Sequence, residues 1–266
     1  MSDRVTVTIE ERVASVRMNR PDKLNALDAA MFEALIETGQ RLAADRSVRA
    51  VVLSGEGRAF CAGLDFASFM GMLASGGGLD LLARPEGSIA NYAQLAGYVW
   101  RQVPVPVIAA VHGVTFGGGL QIALGADIRI VAPDAQLSVL EIKWGLIPDM
   151  SGTQTLRHLV RLDVAKELTF TGRVVSGTEA VALGLGTRLS EHPFDDAMKL
   201  AREISTKSPD AIRAGKKLLE ATWFCGLEEG LQIEERIQRT LLGKPNQLEA
   251  VQAGLQKRAP EFTDPE

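Results

Sequence analysis

A run of three glycines, Gly117-Gly-Gly119, stands between the apolar segment Val107-Ile-Ala-Ala-Val111 and a second apolar stretch, Leu120-Gln-Ile-Ala-Leu124. Backbone without side chains can turn its N–H groups toward a ligand, and a glycine run that enters a helix sets those donors at the positive end of the helix dipole. Such donors can hold a developing oxyanion, which points to acyl chemistry. Twenty residues beyond Gln121 stands Glu141, among Val139, Leu140, Ile142 and Trp144, and eight further on comes Asp149, after Pro148. A carboxylate in apolar surroundings has a raised pKa, which suits a general base.

Each feature also has a purely architectural reading. A glycine triplet makes a tight turn, Glu141 fits the solvated face of a short element, and Asp149 and Ser151 both fit as N-cap of the helical run 153–160. A second segment of the same character argues against coincidence: Arg58-Ala-Phe-Cys-Ala-Gly-Leu-Asp65 follows the strand-like Ala50-Val-Val-Leu53 and carries another Gly-X-Asp turn. The histidines are rival catalysts. His112 directly precedes the glycine turn and is expected to brace it by hydrogen bonding, His158 lies on a helix beside Arg157, and His192 lies in a polar connector. No His, Cys and carboxylate residues have metal-ligand spacing, and no Gly-X-Ser-X-Gly elbow is present, so neither a metal nor a serine nucleophile is expected.

The elements that must position these groups read as follows. Val5, Val7 and Ile9 alternate with polar neighbours, Glu10-Glu-Arg12 makes a turn, and 13–18 continue the alternation, which predicts a β-hairpin. Asp28 caps a helix whose apolar face is Met31, Phe32, Leu35, Ile36 and Leu42, and a strand follows at 50–53. Strand 107–111, a helix from about Gly119 and strand 127–131 repeat the order, which implies crossover units and a parallel sheet. Residues 66–102 read as an irregular loop interrupted by Gly76-Gly-Gly78 and Arg84-Pro-Glu-Gly87, then a helix over 89–100. From Ser176 onward helices follow one another with short connectors, at 179–184, 194–205, 209–220, 227–242 and 246–257.

Composition narrows the class. The chain has 266 residues, 46% of them hydrophobic, enough to bury one substantial core. A net charge of −4 provides no footprint for nucleic acid. Two cysteines, Cys61 and Cys225, imply a reducing compartment and no disulfide framework. The start, Met1-Ser-Asp-Arg4, leads into alternating residues, so neither a signal peptide nor a membrane span is expected, and the expected location is cytoplasmic.

In order along the chain, Asn19-Arg-Pro-Asp-Lys-Leu-Asn-Ala-Leu27, Ala59-Phe-Cys-Ala-Gly-Leu-Asp65, Gly117-Gly-Gly-Leu-Gln121, Ala126-Asp-Ile-Arg129, Gly145-Leu-Ile-Pro148, Gly152-Thr-Gln154 and Leu168-Thr-Phe-Thr-Gly172 resemble the crotonase superfamily of enoyl-CoA hydratases and isomerases. The resemblance implies an α/β fold, a spiral of ββα units with a C-terminal helical domain. It divides the chain into a core at 1–190, for acyl-CoA binding and catalysis, and a helical region at 191–266, for oligomerisation and closure of the site. It implies an oxyanion hole from the backbone N–H groups of Leu64 and Gly118, with Lys23, Ala26, Ala62, Gly63, Asp65 and Gly117 around the CoA thioester. It also places Lys257 and Arg258 either near the nucleotide part of CoA or at a solvated helix terminus, and sets 66–102 beside the acyl pocket, where Met70, Met72, Leu73, Leu79, Leu81 and Leu82 serve either the acyl group or the core.

The hydratases so resembled carry one Glu after the glycine turn and another at the position of Glu141. Here the first is Gln121, whose amide does not exchange a proton near neutral pH, although it can orient water. Monofunctional isomerases keep only the second Glu. Dienoyl-CoA isomerases add an Asp where Asp149 falls, yet also carry an Asp at the position of Gln121, so the match to them is partial. The catalytic candidates are therefore Glu141, Asp149 and Gln121. Isomerisation is the leading expectation, hydration with Gln121 orienting water the alternative, and a non-catalytic acyl-CoA-binding or RNA-binding member the third. No cofactor is implied beyond the CoA of the substrate, and the partner is an acyl-CoA thioester, with no nucleic acid or membrane. The expected assembly is a homotrimer or a dimer of trimers.

Overall fold

The computed structural model describes residues 3–74 and 80–265. β1 (Val5–Glu10) and β2 (Val13–Met18) form the expected hairpin, closed by Glu11 and Arg12, both with positive φ. A two-residue turn with both residues left-handed matches the natural twist of the strands it joins. Helix α1 (Ala29–Ala44) follows, with the Asp28 carboxylate accepting from Met31 N at 2.9 Å.

Thereafter the chain alternates between two sheets. β3 (Ala50–Gly55) belongs to the first and β4 (Ala59–Cys61) to the second, and helices α2 (Phe66–Ala74) and α3 (Tyr92–Gln102) follow. The pattern repeats with β5 (Val107–Val111), β6 (Val114–Phe116) and α4 (Gly118–Leu124), then with β7 (Ile128–Val131), β8 (Gln136–Ser138) and α5 (Gly152–Leu159). After α6 (Leu162–Thr171), β9 (Val175–Ser176), α7 (Gly177–Leu183) and β10 (Arg188–Leu189) complete the sheets, ordered β1-β2-β3-β5-β7-β10 and β4-β6-β8-β9. This is a spiral of ββα turns. In the larger sheet every pairing except β1 with β2 is parallel. Helices α8 (Pro193–Ser205), α9 (Pro209–Thr222), α10 (Leu227–Arg239) and α11 (Pro245–Gln256) end the chain.

The unbroken apolar run of β3 follows from burial on both faces. Val51 and Leu53 join the main core with Phe32, Phe60 and Val107, while Ala50 and Val52 face the other way, with Ile108 and Ala110, onto Ala197, Met198 and Ala201 of α8. Parallel strands covered on both sides read as continuous hydrophobic runs.

The structure departs from the sequence pattern in several places. α2 replaces the first part of the irregular loop, because the Asp65 carboxylate accepts from Ser68 N at 3.1 Å and caps its first turn. Gly76-Gly-Gly78 and Leu79 lie outside the described residues, as do the side chains of Met72 and Leu73. The expected helix at 89–100 begins later, where Asn91 and Gln94 form a reciprocal capping box. α6 has no counterpart among the expected helices: Leu162 and Phe170 are exposed and Leu168 is its one buried residue, so no apolar stripe marks it. β4, β6, β8 and β9 have two or three residues each, too short for a period of two to register.

One contact seats α4 against β4. A Cβ added at Gly119 would stand 2.2 Å from the carbonyl oxygen of Cys61. We therefore expect Gly119→Ala to cost about 1–3 kcal/mol, the range for overpacking a core. Gly254→Ala, where a Cβ meets nothing within 4 Å in α11, should stabilise by roughly 0.5–1 kcal/mol. Urea denaturation of the two variants checks the contrast, and equal midpoints would refute the close approach.

Candidate active site

The loop at residues 24–27 is laced to 62–65 by backbone hydrogen bonds: Ala62 N to Leu24 O at 2.9 Å, Leu27 N to Gly63 O at 2.8 Å and Asp65 N to Leu27 O at 3.0 Å. Buried Asn25 locks the loop from below, its Nδ2 donating to Glu56 O and Ala59 O. Gly63, at φ +88°, brings this segment against the glycine turn, since a Cβ there would stand 2.7 Å from Phe116 O and 3.6 Å from Gly118 N. The structure thus brings together the two segments that carry Leu64 and Gly118. Among the described residues neither backbone N–H donates to a protein acceptor. Gly117 adopts φ 52°, ψ −121°, a conformation open to glycine, and its N–H donates to Ser138 O at 2.9 Å.

Glu141 opens a 3-10 turn, Glu141–Trp144, directly beyond β8. It is buried, and a Cβ at Gly117 would come within 3.4 Å of its Oε1. That oxygen accepts from Gln121 Nε2 at 2.6 Å, whereas Oε2 is buried with no hydrogen-bond partner among the described residues. Burial pushes the Glu141 carboxyl above the usual carboxylate range and the charge of Asp149 adds to the push, partly offset by hydrogen bonds from its own backbone and from Gln121. Gln121 is itself buried, on the first turn of α4, and its Oε1 accepts from Met150 N at 2.8 Å and Gly152 N at 2.9 Å. The Gln121 carbonyl oxygen is therefore committed to backbone donors rather than free to hold water.

Asp149 belongs to the same cluster through its charge on Glu141. Its residue is exposed, yet its carboxyl is set among enough protein for burial to raise its pKa. It does not cap α5. Ser151 occupies the cap position at φ +68°, without a side-chain cap bond, and its Oγ is buried without a partner among the described residues. The cap readings of Asp149 and Ser151 fail because the left-handed residue at 151 turns the chain too sharply for either side chain to reach the first turn.

The remaining candidate residues divide. Lys23 is exposed at the end of a 3-10 turn, and half-buried Ala26 and Ala62 lie beside the laced loops. Asp65 is already engaged: burial would raise its pKa, but Ser68 and the Arg20 guanidinium, 2.8 Å away, outweigh burial and bring it to about 2. His112 does not brace the glycine turn, because its Nε2–H donates to Gly57 O at 2.9 Å, in the loop between β3 and β4. Cys61 is no nucleophile, since burial pushes its thiol up to about 12. The side chain of Arg258 pairs with Glu249. A cavity of about 590 Å³ opens at the far end of α4, between Leu124, Asp127, His158, Ile212, Lys216 and Trp223, but it is not lined by Glu141, Leu64 or Gly118. Two features escape a reading of the sequence: the paired amides of Met150 and Gly152, and a ring stack between Phe66 of α2 and Trp144, with centroids 4.1 Å apart. Of these residues only Gly152 carries a signal, as part of a recurring motif.

A sequence profile described as "Enoyl-CoA hydratase/isomerase" matches residues 8–265. The chain belongs to this family. It is 34% identical over 260 residues to the human "Enoyl-CoA hydratase domain-containing protein 2, mitochondrial", covering 95% of this chain and 86% of the relative. It is 32% identical over 261 residues to the "Probable enoyl-CoA hydratase" of Bacillus subtilis, covering 97% and 98%. The crystal structure of an enoyl-CoA hydratase from Bacillus anthracis superposes with a TM-score of 0.86 at 30% identity, covering 98% of this chain and 99% of that one. The architecture is thus the crotonase fold. Among the described residues no helix is long and apolar enough to cross a membrane.

The strain at Ser151 is testable by itself. Ser151→Gly removes both a left-handed non-glycine residue and a buried unsatisfied hydroxyl, and should stabilise the protein by about 1 kcal/mol after the extra freedom of glycine in the unfolded chain is subtracted. Thermal melting of the variant measures this, and a lower melting temperature would contradict it.

Proposed function

We propose that the protein moves the double bond of an enoyl-CoA or dienoyl-CoA thioester, with Glu141 as the proton carrier. Abstraction of the α-proton by Glu141 sends the C–H electron pair toward the thioester carbonyl, giving a dienolate whose oxygen is held by the N–H groups of Leu64 and Gly118. Return of the proton from Glu141 to the γ-carbon collapses the dienolate into the conjugated enoyl thioester. One carboxylate performs both transfers, and the raised pKa matches it to that task. Lys23, Ala26, Ala62, Gly63 and Gly117 hold the CoA thioester in this reading, while Asp65 contributes through backbone, its carboxylate being engaged by Ser68 and Arg20. No cofactor is needed beyond the CoA of the substrate.

The observation that carries the preference is Gln121: a carboxamide occupies the place of a second proton-transfer group, and its oxygen already accepts two backbone N–H bonds. The names of the relatives favour a second reading, hydration of a 2-enoyl-CoA. In that reading Gln121 orients water through Nε2 alone, its oxygen being committed to Met150 and Gly152. Residues 1–190 form the catalytic unit and 191–266 the assembly unit in both readings. Exposed Leu219, Trp223, Phe224, Leu227 and Leu231 on and between α9 and α10 support a homotrimer or a dimer of trimers, and free Cys61 and Cys225 support a reducing, cytoplasmic setting.

Product analysis with 2-enoyl, 3-enoyl and 3,5-dienoyl thioesters separates the readings, and hydration of the 2-enoyl substrate as the dominant reaction would replace isomerisation. Glu141→Gln should lower turnover at least about 10²-fold with thioester affinity retained. Because the base must be ionised and its pKa is raised, kcat/KM should fall on acidification from a pH above the ordinary carboxylate range. An acid limb at the pKa of a free carboxylate would remove Glu141 from the role.

A further inference from the structure

The Gln121 carboxamide has one orientation that satisfies its surroundings. Its Oε1 meets two backbone donors, Met150 N at 2.8 Å and Gly152 N at 2.9 Å, and its Nε2 meets a carboxylate oxygen, Glu141 Oε1, at 2.6 Å. A flipped amide would set its NH₂ against two N–H groups and its oxygen against a carboxylate, three repulsive contacts in a buried place. The surroundings are built to this shape: a Cβ on Gly152 would stand 2.5 Å from Gln121 Oε1. Glu141 is thereby held through one oxygen, while Oε2 has no hydrogen-bond partner among the described residues.

We propose that Gln121 is a positioning residue, which suspends Glu141 from the amides of Met150 and Gly152 through Oε1 and so makes Oε2 the oxygen that takes and returns the substrate proton. The inference rests on the reading of Glu141 as the base and adds to it the group that fixes the base. A carboxylate free to rotate would present either oxygen over two carbons of the substrate, whereas one held at Oε1 moves a proton from the α- to the γ-carbon on a single face. Held groups keep reacting atoms within the fraction of an ångström that proton transfer needs. The same bond opposes the burial and the Asp149 charge that raise the Glu141 pKa, so losing it should move the acid limb to higher pH.

The test follows loss of the α-proton signal of a short 3-enoyl-CoA in D₂O by NMR, across pH, for wild type, Gln121→Met and Gln121→Glu. Exchange is counted as loss of the original α-proton signal, whether that proton passes to solvent or is carried to the γ-carbon, so it reports abstraction whichever net reaction follows. Gln121→Met keeps the length of the side chain and removes its bonds; exchange should fall at least about 10-fold, the lower part of what misplacing a catalytic group costs, with the acid limb moved up. Gln121→Glu keeps an acceptor for Met150 and Gly152 and, while protonated on its other oxygen, a donor for Glu141. It should therefore restore exchange where the carboxyl pair shares one proton and lose it at higher pH where both ionise, a bell-shaped profile. If Gln121→Met does not fold, this bell alone decides. A Gln121→Met variant within threefold of wild type with an unmoved limb would overturn the inference, and so would a Gln121→Glu profile identical to wild type. Absence of exchange in wild type would remove Glu141 as base and the inference with it, whereas exchange in wild type unaffected by either substitution would sink the inference alone.

Discussion

The hydrogen bonds of one carboxamide join three stretches of chain that are distant in sequence. Gln121 belongs to α4, Glu141 to the turn after β8, and Met150 and Gly152 to the approach to α5. All of these groups are withdrawn from water, so each donor needs its acceptor and a mismatch would cost more than the bond itself is worth. The constraint propagates outward. Gly152 must lack a side chain to leave room for the amide, Gly117 must take a glycine conformation beside Glu141, and the left-handed Ser151 must aim the N–H groups of the residues on either side of it at one oxygen.

The spiral delivers these pieces by repetition. Each turn runs a strand in the large sheet, a short strand in the small sheet and then a helix, so the ends of β4, β6 and β8 stack as neighbours. The segment at 63–65 follows β4, the glycine turn follows β6 and Glu141 follows β8, at corresponding points of successive turns. The segment at 63–65, the glycine turn and a carboxylate therefore come close together without any long loop having to bridge them. A solved enoyl-CoA hydratase structure superposes on this frame along nearly its whole length.

Much of this is legible in the amino-acid sequence. β1, β2 and α1 carry a clear period or cap, β3 and β5 stand out as unbroken apolar runs, and the C-terminal helices show their apolar spacing. The glycine run and Glu141 stand out because glycine triplets and acids in apolar surroundings are rare enough to ask for a reason. What stays hidden depends on contacts between distant segments. The small sheet is built from strands too short to show a period, α6 buries too little to show a stripe, and His112 finds its acceptor in a loop 55 positions away. Asp149 is ambiguous for the same reason, since only the backbone at Ser151 decides whether a side chain can reach the helix behind it.

Arg49 has a consequence for the order in which the molecule comes together. It is buried at the start of β3, and its guanidinium donates to Ser205 O, 156 positions later, and Phe262 O, 213 positions later, with Asp264 3.6 Å away. On a growing chain the central strand would carry an unsatisfied cation through most of synthesis. Closure of α8 over the sheet and docking of the tail at 262–264 are then needed to neutralise it, which ties the last segments made to one of the first strands. The late helices thus act as a clasp, and early unfolding should begin with their release, exposing Val52 and Arg49 together.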